Sequence, residues 1–367
     1  MMDEKESMRS IIRSLALAMS NSEASEMISR HRGSARRIAR IPSVIHTKKQ
    51  YACFKVMTIV DCDILMLVDD SKCKIEETGC IYTWIDIELN YNYFTYAEVL
   101  EKMLPTGVQV PSSFEIVGSI AHLNLDGQQM DYRHAIGRVI HEKTGMTVIT
   151  KVGCISNEFR SFDLEVIGGE PNLQTVHKEG GLLFCIDYKN VYWCSKLQNE
   201  RLELLRMFMP GETVCDLFCG VGPVSLRALK NGCKVYANDL NPHAIECIKA
   251  SIEANKLKSS NIEVFNLTAD EFLSVMVGRR IDHFFLNLPE HSLEYLERIS
   301  AWNADALVHC YFFSRNDEDV EQYIFRKIGL KVSKDLLRIV RKVSPSKSMY
   351  KLEASCELLR AGFVGGY

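Results

Sequence analysis

The 367-residue sequence has no run of about 18 apolar residues, the length a helix needs to cross a bilayer, so no stretch of it reads as a membrane-spanning helix. It has no strong charge of either sign: 44 Lys and Arg against 47 Asp and Glu give a formal net charge of −3. A nucleic-acid partner would therefore have to be met by local basic patches, not by the field of the whole molecule. It has no C-x-x-C pair. Its 13 cysteines, an odd number, sit in apolar stretches such as those around Cys185, Cys215 and Cys310, which reads as reduced core thiols and not as a disulfide framework. Cys215 and Cys219 have no His pair beside them, so no metal site is expected. The N-terminus carries Asp3, Glu4 and Glu6 where a secretory or transit peptide would be basic. A reducing, cytoplasmic setting is expected, with a nuclear pool compatible and a mitochondrial one disfavoured.

What is present centres on Thr213-Val-Cys-Asp-Leu-Phe-Cys-Gly-Val-Gly-Pro-Val-Ser225. It reads as a short buried strand, a glycine turn at Gly220 and Gly222, and the start of a helix near Pro223. A second strand, Cys233–Asn238, ends in Asp239, which suits an acid reaching ribose hydroxyls. A dinucleotide fingerprint would need a third glycine where Ser225 stands. An acid at the end of the first strand, G-x-G, and an acid after the second strand resemble instead motif I of S-adenosylmethionine-dependent methyltransferases.

The length allows about two or three domains at ~100–200 residues each. A helix is expected over residues 7–20. From Ile28 to Gln50 there is no acidic residue, while Arg30, Arg32, Arg36, Arg37, Arg40, Lys48 and Lys49 accumulate. The segment reads either as a solvated, partly mobile arm or as a phosphate contact, for which Arg36 and Arg37 are the candidates. Strands are expected near Cys53–Val60, Asp63–Val68 and Ile81–Leu89, and a helix over Tyr96–Met103. A boundary falls near residue 110, where Leu104-Pro-Thr-Gly-Val has turn chemistry. Residues 111–197 form a middle α+β block, and from residue 198 strands and helices alternate regularly. That alternation implies an α/β, doubly wound, largely parallel sheet, preceded by two smaller α+β domains (1–110 and 111–197). Ligands of such sheets gather at the carboxyl ends of the strands, where Gly220, Asp239, Asp270 and Asn287 all fall. The last strands are expected at Lys331–Val343 and Ser348–Leu359.

Several ordered phrases are present together: Phe159-Arg-Ser-Phe162, Val191-Tyr-Trp193, Glu200-Arg201, Phe218-Cys-Gly-Val-Gly-Pro223, Asp239-Leu-Asn-Pro242 and Asn287-Leu-Pro289. With Ile120-Ala-His-Leu-Asn-Leu125, Val343-Ser-Pro345 and Met349-Tyr350 they resemble the eukaryotic and archaeal tRNA guanine-37 N1-methyltransferases, over about residues 114–360. The resemblance implies a Rossmann-like class I methyltransferase domain over residues 198–367, working as a monomer with S-adenosyl-L-methionine as cofactor and tRNA as partner. It implies Glu200 as general base, Arg160 as the residue steadying the target guanine, and Asn287 with Pro289 as the pocket that positions the base. Tyr192, Phe218, Gly220, Gly222, Asp239, Asn241 and Asp270 become cofactor contacts, and Lys196 and Arg201 substrate contacts. Where the family commonly carries Asn and a following Arg after Val-Tyr-Trp, this sequence has Cys194 and Lys196; Lys keeps the charge but not the bidentate fork. The residues before about 110 correspond to the family's variable tRNA-contacting domain.

The chemistry asks for these residue types independently. Guanine N1 is a poor nucleophile until its proton leaves, which calls for a carboxylate within hydrogen-bond reach. Charge then builds on the guanine O6, which favours a guanidinium. The bland reading of Glu200 is an exposed helix residue pairing with Lys196. Two further readings stay open: an aminocarboxypropyl transferase of the wyosine pathway on the same fold, and a catalytically silent tRNA-binding adaptor.

Overall fold

The computed structural model describes residues 8–58, 61–69, 71–72, 81–152, 163–302 and 304–364. Their contacts define two compact units, residues 1–113, 125–145 and 167–169 in one, and 114–124, 146–166 and 170–367 in the other.

The first unit holds a five-stranded antiparallel sheet of order β2-β4-β1-β5-β3. Its strands are β1 (Ser10–Met19), β2 (Val44–His46), β3 (Phe54–Val56), β4 (Ile64–Val68) and β5 (Ile81–Leu89). The helix expected over residues 7–20 is therefore a strand. The apolar residues on more than one side arise because β1 is the central strand, where Leu15, Ala16 and Leu17 are all buried, and not from a helix with several apolar faces. The basic segment is no free arm: it takes in the last turn of the helix Ala24–His31 and all of β2, and Ile45 is buried. Arg36 donates to the Arg13 carbonyl (3.2 Å) and to Ser14 Oγ (3.3 Å). Arg40 grips both oxygens of Glu98 at 2.9 and 2.8 Å. That glutamate also completes a capping box with Thr95 that starts the helix Tyr96–Met103.

In the second unit, β6 (Glu115–Val117) and β7 (Ile120–Leu123) are antiparallel, β8 (Thr147–Lys151) runs parallel to β7, and β9 (Leu164–Gly168), of which residues 164–166 belong to this unit, closes the edge. The hairpin β10 (Gln174–Glu179) and β11 (Leu182–Asp187) turns at Gly180 and Gly181. Its β11 edge is satisfied by side chains of the helix Pro242–Ala254 and the residue that caps it. Cys185 N donates to Ser251 Oγ (2.8 Å), and Asn255 exchanges bonds with the Leu183 N–H and carbonyl (2.8 and 2.6 Å).

The main sheet has seven strands: β12 (Thr213–Asp216), β13 (Lys234–Asn238), β14 (Ile262–Phe265), β15 (His283–Leu286), β16 (Leu307–Arg315), β17 (Leu337–Ser344) and β18 (Lys347–Ser355). Their order is β14-β13-β12-β15-β16-β18-β17; the first five are parallel, and the pairings of β18 with β16 and with β17 are antiparallel. Strand side chains alternate between two apolar clusters. Val214, Val235, Phe285 and Tyr311 face one, whereas Cys215, Tyr236, Phe284, Cys310 and Phe312 face the other. This is what a parallel sheet covered on both faces demands. The expected final strand stops at Ser355, where the side chain of that serine accepts from Leu358 N (3.2 Å) and caps the helix Cys356–Gly362.

Candidate active site

The glycine turn follows β12. Gly222 N donates to the Cys219 carbonyl (2.9 Å), and both glycines take positive φ, +53° at Gly220 and +80° at Gly222. The two serve different ends. A Cβ on Gly222 would lie 2.6 Å from Ile248 Cδ1, so this glycine admits a neighbouring helix; a Cβ on Gly220 would meet nothing within 4 Å. Asp239, just past β13, ties the turn down by accepting from Gly220 N (2.8 Å) and from Asn241 N (2.9 Å). Burial pushes its pKa up, and these two N–H groups pull it partly back. Asn241 caps the helix Pro242–Ala254 through His243 N (3.0 Å), and its amide donates to the Asn190 carbonyl (2.7 Å). It thereby ties the loop carrying Tyr192, half of whose surface is exposed, to the end of β13.

Asp216, at the tip of β12, is buried. Its Oδ2 accepts from Ser225 Oγ (2.6 Å), while its Oδ1 has no hydrogen-bond partner. Burial is the main reason its pKa rises to about 7, with the charge of Asp239 adding to it. Asp216 opens onto a small cavity of about 30 Å³ lined also by Phe218, Pro223, Asn287, Tyr311, Met349 and Glu200. Residues from the end of β12, the end of β15, the middle of β16 and the helix Gln198–Leu205 thus meet at one place.

Glu200 lies in the first turn of that helix and is buried. Lys196 is exposed, and the partners of Glu200 come from elsewhere: Tyr311 Oη donates to Oε1 (2.5 Å), and Arg338 Nη2 reaches Oε1 and Oε2 at 2.7 and 2.8 Å. Burial, and then the charge of Glu200, push the Tyr311 hydroxyl far above its ordinary pKa, so it stays a donor. Burial disfavours the charge on Arg338, but its bonds to Glu200 and the nearby Glu203 outweigh this and hold the guanidinium protonated.

The other expected residues are distributed as follows. Phe218 is half-buried, edge-on to Tyr295 at 5.6 Å. Asp270 starts the helix Ala269–Met276, exposed and paired with Arg298 (3.0 Å). Pro289 is buried, its carbonyl accepting from Phe313 N (3.2 Å). Arg201 is also buried: it shares Glu179 with Arg227 (3.0 and 2.7 Å), lies 4.8 Å over the Trp193 ring and donates to the Cys194 carbonyl (2.7 Å). Arg160 lies outside the described residues. Arg36 and Arg37, in the first unit, line an open groove of about 1020 Å³ with Arg13, Arg32, Lys72 and Trp84. Sequence reasoning uses Asp216 only as the strand-end acid of the glycine-turn motif, without a contact role, and misses Tyr311 and Arg338. Tyr311 is hidden in the apolar run of β16, and Arg338 alternates with Leu337 and Ile339 like any residue on the open face of an edge strand. Only the three-dimensional pairing with Glu200 marks them out.

A five-stranded parallel sheet extended by an antiparallel pair, with a glycine turn after β12 and an acid closing β13, defines a class I S-adenosylmethionine-dependent methyltransferase. Residues 175–338 match the TRM5/TYW2 methyltransferase domain, and residues 96–172 the TYW2 N-terminal domain. The chain is 59% identical to a tRNA (guanine(37)-N(1))-methyltransferase of Encephalitozoon cuniculi, over 98% of this chain and 99% of that protein. It is 37% identical to the Dictyostelium discoideum protein of the same name, over 79% of this chain and 68% of that one. Among solved structures it resembles Trm5b of Pyrococcus abyssi (TM-score 0.60, 25% identity, 93% of this chain and 98% of that one). It shares the fold of aTrm5, solved in complex with tRNALeu (TM-score 0.64, 21% identity, 93% and 99% covered). The chain belongs to the tRNA (guanine(37)-N(1))-methyltransferase family.

Proposed function

We propose that this protein transfers the methyl group of S-adenosyl-L-methionine to N1 of guanosine 37 in tRNA, with Glu200 taking the N1 proton. The observation that carries this reading is the shared cavity, in which the Glu200 carboxylate and Asn287 stand with Asp216 and Phe218 beside the glycine turn. The residues fit the cofactor. The space over Gly220 is free of side chains, an unpaired buried carboxylate oxygen of Asp216 faces the same cavity, and Asp239 keeps lone pairs for ribose hydroxyls after bonding two N–H groups. When bound, S-adenosylmethionine supplies an electrophilic methyl on a sulfonium, whose positive charge suits the carboxylates of this end of the sheet.

The chain's own residues do the remainder. Gly220, Gly222, Asp239, Asn241 and Asp270 hold the cofactor end, with Phe218 and Tyr192 as apolar contacts. Glu200 accepts the proton that must leave guanine N1, and the freed lone pair takes the methyl. Asn287 and Pro289 position the base, and Arg160 steadies the negative charge on its O6. Lys196 is exposed and offers a phosphate contact. Arg201 acts from inside, because its bond to the Cys194 carbonyl and its place over Trp193 fix the loop that presents Lys196. An anticodon-loop guanine leaves its stack to reach this cavity more cheaply than a paired one. In the first unit, the groove with Arg36 and Arg37 suits the phosphate backbone of the tRNA body, and Trp84 gives it a stacking surface. The protein works as a monomer in the cytoplasm, with a nuclear pool.

The test is labelled methyl transfer to tRNA transcripts with G or A at position 37, for wild type and Glu200→Gln, with the product mass recorded. Expected is labelling of the G transcript alone, a mass gain of one methyl, and a single-turnover rate at least a hundredfold lower in the variant, in line with general-base contributions of roughly 10²–10⁴. Equal labelling of both transcripts, or an unchanged rate in the variant, overturns the reading.

A further inference from the structure

We propose that Arg338 is a latch on Glu200 operated by the RNA: it masks the carboxylate in the free protein and passes to a phosphate of the docking RNA, leaving Glu200 to Tyr311. This rests on the reading of Glu200 as the base. A carboxylate whose two oxygens both accept from a guanidinium cannot take the N1 proton without giving up one of those bonds. The partner therefore has to let go during the reaction, and the structure gives it the means.

The two sides of the pair are built differently. The Glu200 side chain is 9% exposed and that of Arg338 is 46% exposed, so the carboxylate is fixed and the cation stands at the surface. Arg338 comes from β17, the edge strand, which has β18 on one side and no strand on the other among the described residues. Both bonds to Glu200 use Nη2 alone, which leaves the rest of the guanidinium fork for another oxyanion. Arg341 and Lys342 follow on the same strand, and exposed Lys196 precedes Glu200 in the chain. An RNA backbone drawn to these cations would bring phosphate oxygens beside Arg338. Trading a carboxylate for a phosphate exchanges one charge-assisted hydrogen bond for another of the same kind, so release costs little. Tyr311 is buried, comes from central strand β16 and bonds only Oε1. It keeps the Glu200 rotamer after release and leaves Oε2 to receive the proton. The proton leaving N1 then ends on Oε2, and the N1 lone pair forms the bond to the methyl as the bond from that methyl to sulfur breaks, its electron pair staying on the sulfur as a neutral thioether; Glu200 is left neutral until it returns the proton to solvent.

The experiment is the pH dependence of single-turnover methyl transfer at saturating tRNA, together with the salt dependence of tRNA affinity, for wild type, Arg338→Gln and Arg338→Lys. If the guanidinium has left Glu200 before transfer, Arg338→Gln keeps the acid-limb midpoint of the wild type. It also weakens tRNA binding several-fold and lowers the slope of log affinity against log salt by about 1, the effect of one lost phosphate contact. Arg338→Lys restores the slope, and melting curves of both variants report whether the fold is kept. A midpoint moved upward in Arg338→Gln, or a salt slope equal to that of the wild type, overturns the latch. The failure of the base itself is distinguishable, because Glu200→Gln would then turn over at the wild-type rate whatever Arg338 does.

Discussion

Replacing Gly220 by Ala separates the space a cofactor needs from the space the fold needs. The residue sits at φ +53°, where an L-residue costs roughly 1–2 kcal/mol relative to glycine. An added Cβ would touch nothing within 4 Å, so the strain of the backbone is the whole of the expected folding cost. At roughly 2–4 °C per kcal/mol for a unit of this size, the cofactor-free protein should melt about 2–8 °C lower. Gly222→Ala carries the same strain at φ +80° and in addition drives its Cβ to 2.6 Å from Ile248 Cδ1, an overpacking worth about 1–3 kcal/mol more. Without ligand, then, Gly222→Ala is the more damaging change. With S-adenosylmethionine the distinction reverses for affinity, because the new methyl of Gly220→Ala stands in the open space above the turn. A loss of at least about tenfold, some 1.4 kcal/mol, is expected from calorimetric titration. If Gly220→Ala binds the cofactor within about twofold of wild type, that space is not the cofactor's and the reading of the turn fails.

The carboxyl of Asp216, raised to about 7 by burial from an ordinary 3.8, binds its proton more tightly in the folded than in the unfolded chain. Its stabilising effect is therefore full below about pH 4 and is lost as pH rises through about 7, at roughly 1.4 kcal/mol for each pH step between those limits. Asp216→Asn should make the cofactor-free protein more resistant to urea than wild type at pH 8 and near-equal to it at low pH; parallel unfolding curves at the two pH values would contradict this. Glu179 neutralises two buried guanidiniums, so Glu179→Ala should cost about 3–5 kcal/mol in denaturant unfolding, and more than Arg201→Met, which leaves Arg227 on the carboxylate. The reverse order would mean that the cluster is not held by its charges. Replacing Arg36 and Arg37 together by Ala should weaken tRNA binding and flatten its salt dependence by about 1–2 in slope, with methyl transfer at saturating tRNA little affected; an unaltered slope would remove the groove from the RNA path.

The parts of the fold legible in the sequence are those with their own local punctuation. The helix Tyr96–Met103 has its Thr95–Glu98 box, the helix Pro242–Ala254 its Asn-Pro start, and the strands β12 to β16 their short apolar runs between turns. Strand β1 reads as a helix because Ile11, Ile12, Leu15, Leu17 and Met19 have no strict period of two; its central position in the sheet, which buries both faces, is a tertiary fact. The final helix reads as strand for a related reason, since Cys356 and Leu359 continue the apolar pattern of β18 and only the Ser355 cap breaks it. In the site, Glu200, Gly220, Asp239 and Asn287 can be named from motifs because each stands at the end of an element. The partners that set the state of Glu200 cannot, since Tyr311 lies 111 and Arg338 138 positions away along the chain.

Strand β17 has one further consequence. A ribbon of N–H and carbonyl groups with no strand beside it among the described residues, at the margin of a seven-stranded sheet, is a template on which another molecule could add its own strand. Here that ribbon is studded with Arg338, Arg341 and Lys342. Two such margins brought together would confront each other with like charges across a strand spacing of about 4.8 Å, a mutual repulsion that neither backbone pairing nor the few apolar groups there would offset. The cations that recommend this border to a polyanion thus also set it against a second copy of itself.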